Sequence, residues 1–146
     1  MPYKNIVIQP TNYSPVVSNQ TSQFYKGFST IDDSKINPKL YDYDLIKQDI
    51  LNMFQTRQGE RVMHPDFGTV IWDIIYDPLT DQLKELVVKD VTRILNFDPR
   101  VTPISINLLE QPYGLLLEST LQYVGTNQTD ILKLAFDKEV GLIQQQ

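Results

Sequence analysis

The sequence predicts an α+β fold, with two to three helices packed on a small, mainly antiparallel sheet. Three observations predict it. Apolar residues recur at three- and four-residue steps between Leu45 and Leu95, the period of a half-buried helix. From Ile104 the period switches to two, the period of a strand with one covered face. Two short turn sequences, QPYG and VGTNQT, separate the alternating stretches and join them as a meander. At 146 residues and 41% apolar content, the chain suits one domain that buries a core without metal or disulfide support.

Residues 1–22 are rich in Asn, Gln, Ser, Thr and Pro. They are expected to form an extended N-terminal arm that orders only against a partner, although NIVIQP within it has the composition of a short strand. A single domain is expected over 23–140. Its first strand is expected in FYKGFSTID, Phe24 to Asp32, broken by Gly27, with DSKINPKLYD as a loop. A helix follows from Asp44, with Leu45, Ile46, Asp49, Ile50, Met53 and Phe54 on one stripe. Asp42 or Asp44 is placed to cap it, and Gly59 in TRQGE to stop it.

Residues 57–68 read as a charged loop, and Val70 to Asp77 as a short apolar helix with a strand as the alternative. The clearest helix comes next, capped by Asp77 or Thr80, with acids in its first turn that suit the helix dipole. Leu83, Leu86, Val87, Val91, Ile94 and Leu95 form its buried stripe. Pro99 ends it, because the residue before a proline avoids the helical region. Ile104, Ile106 and Leu108 then share one strand face. Leu115, Leu117, Ser119, Leu121 and Tyr123 share the next, opposite Glu118, Thr120 and Gln122, and Leu132, Leu134 and Phe136 share a third. Residues 141–146, GLIQQQ, read as a polar tail.

Charge and composition exclude several functions. Acids outnumber Lys and Arg by 18 to 13, for a net charge of −5, and the basic residues form no cluster of the kind that binds a phosphate backbone. No nucleic-acid partner is expected. No run approaches the roughly 18 apolar residues of a membrane span, so no membrane partner is expected either. With no cysteine and one histidine, thiolate sites, disulfides and most histidine metal sites are ruled out, and neither metal nor cofactor is expected. The N-terminus carries no recognisable secretory signal.

Two compact clusters remain. TRQGERVMHPDFGTVIWD, Thr56 to Asp73, gathers charges, the one histidine and the one tryptophan around two glycines and a proline. A glycosidase needs two carboxylates, one of them held protonated, and Glu60, Asp66 and Asp73 are candidates. Glu60, however, lies between Arg57 and Arg61, which favour its ionised form, so surface ion pairing is the simpler reading. His64 has no serine nearby to activate. Gly59 and Gly68 follow no phosphate-loop spacing, and Trp72 with Ile71, Ile74 and Ile75 reads as core. The second cluster is NFDPRV, where Asp98 and Arg100 flank Pro99 as helix becomes strand. A rigid acid-Pro-Arg corner suits docking, since proline lowers the ordering cost and arginine offers a planar fork. Local bonds to the helix end are the alternative.

Taken in order, these pieces resemble the baseplate wedge and sheath-initiator family of contractile phage tails, to which a type VI secretion baseplate subunit is related. The family pattern is T-R-x-G-x-R, then P-x-F-G, then a helix ending in acid-Pro-Arg. Thr56, Arg57, Gly59 and Arg61 match the first part, Pro65, Asp66, Phe67 and Gly68 the second, and Asp98, Pro99 and Arg100 the third. Aspartate replaces the family's usual glutamate at position 98. The resemblance covers about residues 24–138. It implies a fold similar to the inner domain of the tail sheath subunit. It also implies a structural, non-enzymatic role in the virion, in a tail baseplate assembled in host cytoplasm. The partners implied are baseplate wedge helical-bundle proteins, tail sheath subunits whose first ring is templated by strand exchange, and the tail tube. Asp98, Pro99 and Arg100 are the residues expected to bind the wedge bundle. Arg57, Glu60, Arg61 and Asp66 are expected to form an ion-pair network that fixes the loop, with bends at Gly59 and Gly68. Members also carry a lysozyme label, so the alternative is a peptidoglycan-cleaving enzyme using Glu60 and Asp66.

Overall fold

The computed structural model describes residues 25–29, 39–124 and 127–145. The arm over 1–22, with NIVIQP, lies outside the described residues, as do the ends of the first expected strand. Three helices and two antiparallel sheets make up the described fold, an α+β architecture as the change of period predicts.

A two-stranded ribbon comes first. β1 (Lys26–Phe28) pairs with β2 (Lys39–Tyr41). Gly27 sits mid-strand opposite Leu40 rather than breaking it, and β2 occupies part of the stretch expected as a loop. Leu40 and Tyr41, next to the charged helix start, are too short a run to announce a strand by period.

α1 (Asp42–Gln55) buries Ile46, Ile50, Leu51, Met53 and Phe54. Its capping position is held by Tyr41 with no side-chain cap. Asp42 instead bonds back to Tyr25, the residue before β1: its carboxylate accepts the Tyr25 amide at 2.7 Å, and its own amide donates to the Tyr25 carbonyl at 3.0 Å. Gly59 does not end this helix. The helix stops at Gln55, and Thr56 closes it by donating both its amide and its hydroxyl to the Asn52 carbonyl. Gly59 shapes the loop beyond.

α2 (Ile71–Ile74) is the short apolar helix, not the alternative strand. α3 (Asp81–Phe97) is capped by Thr80, whose hydroxyl accepts the Leu83 amide at 3.3 Å. Val87, Val91, Ile94 and Leu95 are buried as expected, but Leu86 is 45% exposed. The position on the stripe that sequence reasoning overlooked is Asp90, buried at 7%.

The main sheet has the order β3-β4-β5-β6, all antiparallel. β3 (Val101–Gln111), β4 (Gly114–Tyr123) and β5 (Thr129–Asp137) are the expected meander. The expected face of β3 is corrected by a bulge. Pro103 opposes Leu121 and Ser105 opposes Thr120, so Ile104 is the extra residue and is 57% exposed, while Ile106 and Leu108 pack on the core. A bulge moves one residue out of the alternation, which a strict period of two cannot foresee. The stretch expected as a polar tail forms β6 (Gly141–Gln145), paired to Lys133–Asp137.

The helices cover one face of this sheet. Phe136 meets Phe54 and Trp72 edge-on at ring separations of 5.9 and 5.3 Å, and Tyr43 meets Tyr123 at 3.9 Å. Such edge contacts add to the area they bury. Among the described residues, no strand pairs with the outer edge of β3, and β6 leaves Thr129–Leu132 of β5 uncovered.

Candidate partner-docking site

The loop between α1 and α2 folds on its own backbone. The Gln58 amide donates to the Thr69 carbonyl and the Thr69 amide to the Thr56 carbonyl, at 3.0 and 2.9 Å, while Gly59 donates to Pro65 at 2.9 Å. Both glycine bends have positive φ, +87° at Gly59 and +105° at Gly68, where side chains are disfavoured. Gly68 is also cramped, because a Cβ there would lie 2.6 Å from the Thr56 carbonyl oxygen.

The expected ion-pair network among Arg57, Glu60, Arg61 and Asp66 is not what holds this loop. Arg57 pairs with Asp73 instead, its Nε donating at 2.5 Å, and this contact with the charge it brings raises the Arg57 pKa. The Glu60 carboxylate accepts the backbone amide of Arg57 at 3.1 Å. The Arg61 guanidinium lies over the Phe67 ring, 3.8 Å from its centre, a contact worth about 0.5–1 kcal/mol at an exposed site. Asp66 takes part through its carbonyl, not its carboxylate.

The clamp comes from α3, and sequence reasoning missed it. One oxygen of Asp90 accepts the Thr69 hydroxyl at 2.7 Å and the Val70 amide at 3.0 Å. The other accepts Arg93 through Nε at 3.1 Å and Nη2 at 2.7 Å. Arg93 also donates to the carbonyls of Asp66 and Gly68, at 2.8 and 2.6 Å, and so brackets Phe67 on both sides. The signal was present: Asp90 stands three residues after Val87 and four before Ile94, inside the apolar stripe. A carboxylate on a buried face needs partners.

The acid-Pro-Arg corner is turned inward. Arg100 grips Asp98 from Nε, at 2.8 and 3.1 Å to its two oxygens, and from Nη2 at 2.5 Å. Nη2 also reaches Asp49 on α1 at 2.7 Å, and the guanidinium lies 5.4 Å from the Tyr25 ring centre. Burial pushes the Asp98 carboxyl up, but its bonds to the Arg100 side chain and amide outweigh this and hold it below the ordinary 3.8. Hydrogen bonding to Asp98 likewise raises Arg100, against the effect of burial. The Arg100 amide also donates to the Asp98 carboxylate at 3.0 Å, a local bond of the kind the alternative expected, and the corner goes further by tying the end of α3 to α1 and to Tyr25 just before β1. Pro99 is exposed beside it.

Between corner and loop lies a groove of about 440 Å³, lined by Ile50, Met53, Ile94, Phe67 and Phe97 with Asp49, Arg61, Asp98, Pro99 and Arg100 around them. The structure therefore brings part of each sequence cluster to one place: Arg61 and Phe67 from the loop, and all three corner residues. Phe97, 69% exposed, went unremarked in the sequence although it directly precedes Asp98. Glu60 and Asp66 do not line the groove. Among the described residues, no group of three or more His, Asp or Glu side chains is placed to hold a metal ion.

A sequence model of the family described as baseplate wedge protein gp25 matches residues 42–126, more than half of the chain and the whole run from α1 through loop, clamp, corner and β4. The chain belongs to the baseplate wedge protein gp25 family. The baseplate wedge protein gp25 of Enterobacteria phage T4 is 26% identical over 76 residues, 50% of this chain and 58% of that protein. The match thus spans less than two thirds of the phage T4 protein. A crystal structure from Geobacter sulfurreducens, described provisionally as a tail lysozyme, superposes with a TM-score of 0.58 at 27% identity, covering 67% of this chain and 93% of the other. Membership in the gp25 family rests on the segment that carries both the groove and the clamp.

Proposed function

We propose that this chain is a structural subunit of a contractile tail baseplate in the virion, assembled in host cytoplasm, and that it docks a wedge helical bundle in the groove beside Asp98, Pro99 and Arg100. The observation that carries this reading is the groove itself. It has an apolar floor of Ile50, Met53 and Ile94, a protruding Phe97 and a charged rim, the make-up of a surface that takes the apolar face of a helix. Pro99 and Phe97 would touch the partner, while Arg100 and Asp98 hold the corner rigid. Arg61 and Phe67 form the loop wall facing that corner, while Arg57, Gly59, Glu60, Pro65, Asp66 and Gly68 shape the loop that carries them.

The sheet supplies the second contact. Among the described residues, the outer edge of β3 and Thr129–Leu132 of β5 have no strand partner, and such edges are templates for an added strand. Tail sheath subunits would join there, so that the first sheath ring is templated by strand exchange. The tail tube would lie against the same assembly.

Mixing on a sizing column tests the docking. The wild-type chain is expected to co-elute with the wedge helical-bundle proteins of its own tail, and Phe97→Ser to elute alone with an unchanged melting temperature. Co-elution of both would move the contact away from the groove.

One observation favours a second reading. The solved relative is described provisionally as a tail lysozyme, which points to peptidoglycan cleavage by Glu60 and Asp66. Both are exposed, neither lines the groove, and the Glu60 carboxylate accepts the Arg57 backbone amide. No clearing is expected in a peptidoglycan turbidity assay. Clearing that disappears in Glu60→Gln would establish the enzyme.

A further inference from the structure

We propose that the groove is bipolar and fixes the direction in which its partner lies, with Arg61 reading an acidic side chain at the loop wall and Asp49 a basic one at the corner. This rests on the docking reading above and deepens it by naming the partner's chemistry. The occupant is an amphipathic segment of a wedge protein with an acid towards one end of its apolar face and a base towards the other.

Charge around the groove is the argument. Asp49, Asp98 and Arg100 form one cluster in which a single guanidinium serves two carboxylates, leaving one negative charge in excess at the corner. Asp49 is the more exposed acid of the two, its side chain 45% accessible against 11% for Asp98. On the opposite wall the Arg61 guanidinium rests on the face of the Phe67 ring. Among the described residues no carboxylate pairs with it, and the nearby Glu60 bonds the Arg57 amide instead. A groove with opposite charges on its two walls favours one orientation of a charged segment and opposes the reverse, which is how rim charges give specificity and register.

Asp90 and Arg93 are positioning residues for this contact. Arg93 holds the carbonyls on either side of Phe67, Asp90 holds Arg93, and the Phe67 ring holds Arg61. The guanidinium therefore waits in place, and less freedom is lost when the partner arrives.

The test is titration calorimetry of the full chain with the purified wedge helical-bundle proteins of the same tail, at two salt concentrations. Arg61→Glu is expected to weaken binding tenfold or more and to flatten its salt dependence, while remaining folded with only a small drop in melting temperature. Replacing one partner acid by lysine should restore the affinity of Arg61→Glu. Arg93→Gln should weaken binding several-fold, and adding Arg61→Gln to it should then cost less than the same change in the wild-type chain, which a merely structural Arg93 would not produce. Unchanged affinity in Arg61→Glu, or in Arg61→Gln if the reversal does not fold, overturns the inference and leaves the docking reading standing. Failure of the wild-type chain to bind overturns the docking reading and this inference with it.

Discussion

Asp90 spends each of its carboxylate oxygens on two hydrogen bonds, joining α3 to the start of α2 and to Arg93. Asp90→Ala would strand the buried Thr69 hydroxyl and the Val70 amide and free a part-exposed guanidinium, and leaving such groups without their carboxylate costs on the order of 2–3 kcal/mol. Urea unfolding should show that loss. The two loop glycines should separate cleanly by the same measurement. Gly59→Ala meets open space and only a disfavoured φ, a cost of about 1 kcal/mol. Gly68→Ala adds a collision with the backbone of Thr56 and Arg57 and should exceed it by roughly 2 kcal/mol or more. Asp98 makes stability depend on pH. Its folded pKa is lowered by Arg100, so its contribution is fully present above its unfolded value near 3.8 and is lost as pH falls through the folded value. The urea midpoint of Asp98→Asn should accordingly fall less steeply below about pH 4 than that of the wild type.

At the scale of elements, the strongly periodic ones were legible in the sequence and the exceptions had local causes. α3 follows from its stripe and from Thr80, and Thr80→Ala should lower the melting temperature through a loss of about 1 kcal/mol. Leu86 was misplaced because a stripe drawn only from apolar residues passed over Asp90. Ile104 was misplaced because a bulge shifts the alternation by one. β2 and β6 were missed because three residues, KLY, and the glutamines of GLIQQQ carry too little apolar pattern. What fixes them is pairing with a neighbouring strand, a tertiary effect absent from local propensity. The outer sheet face shows the same limit. Leu109, Leu116, Ala135 and Ile143 align as one row across all four strands, and Leu116 and Ala135 are buried within it, although the sequence reading placed only polar residues on that face of β4.

The whole molecule explains why two distant sequence clusters belong together. Thr56–Asp73 and Asn96–Val101 are brought to opposite walls of one groove by the packing of α1 and α3 on the sheet. The residue types were legible, and so was their order, which carries the family. Their division of labour was not, because Arg100 could face a partner or Asp98 with equal chemical sense, and only the packing turns it inward. The loop likewise resembled an active site because it concentrates charge around glycine, whereas its charges serve Asp73, Phe67 and the backbone. The groove is the proposed seat of the wedge bundle. Hydrogen–deuterium exchange of the chain, alone and with the wedge helical-bundle proteins, tests it most directly. Slowed exchange in 49–53, 61–67 and 94–100, with the amides of β4 unchanged, is the expected result. Slowed exchange confined to other segments, with those three unaffected, would contradict it.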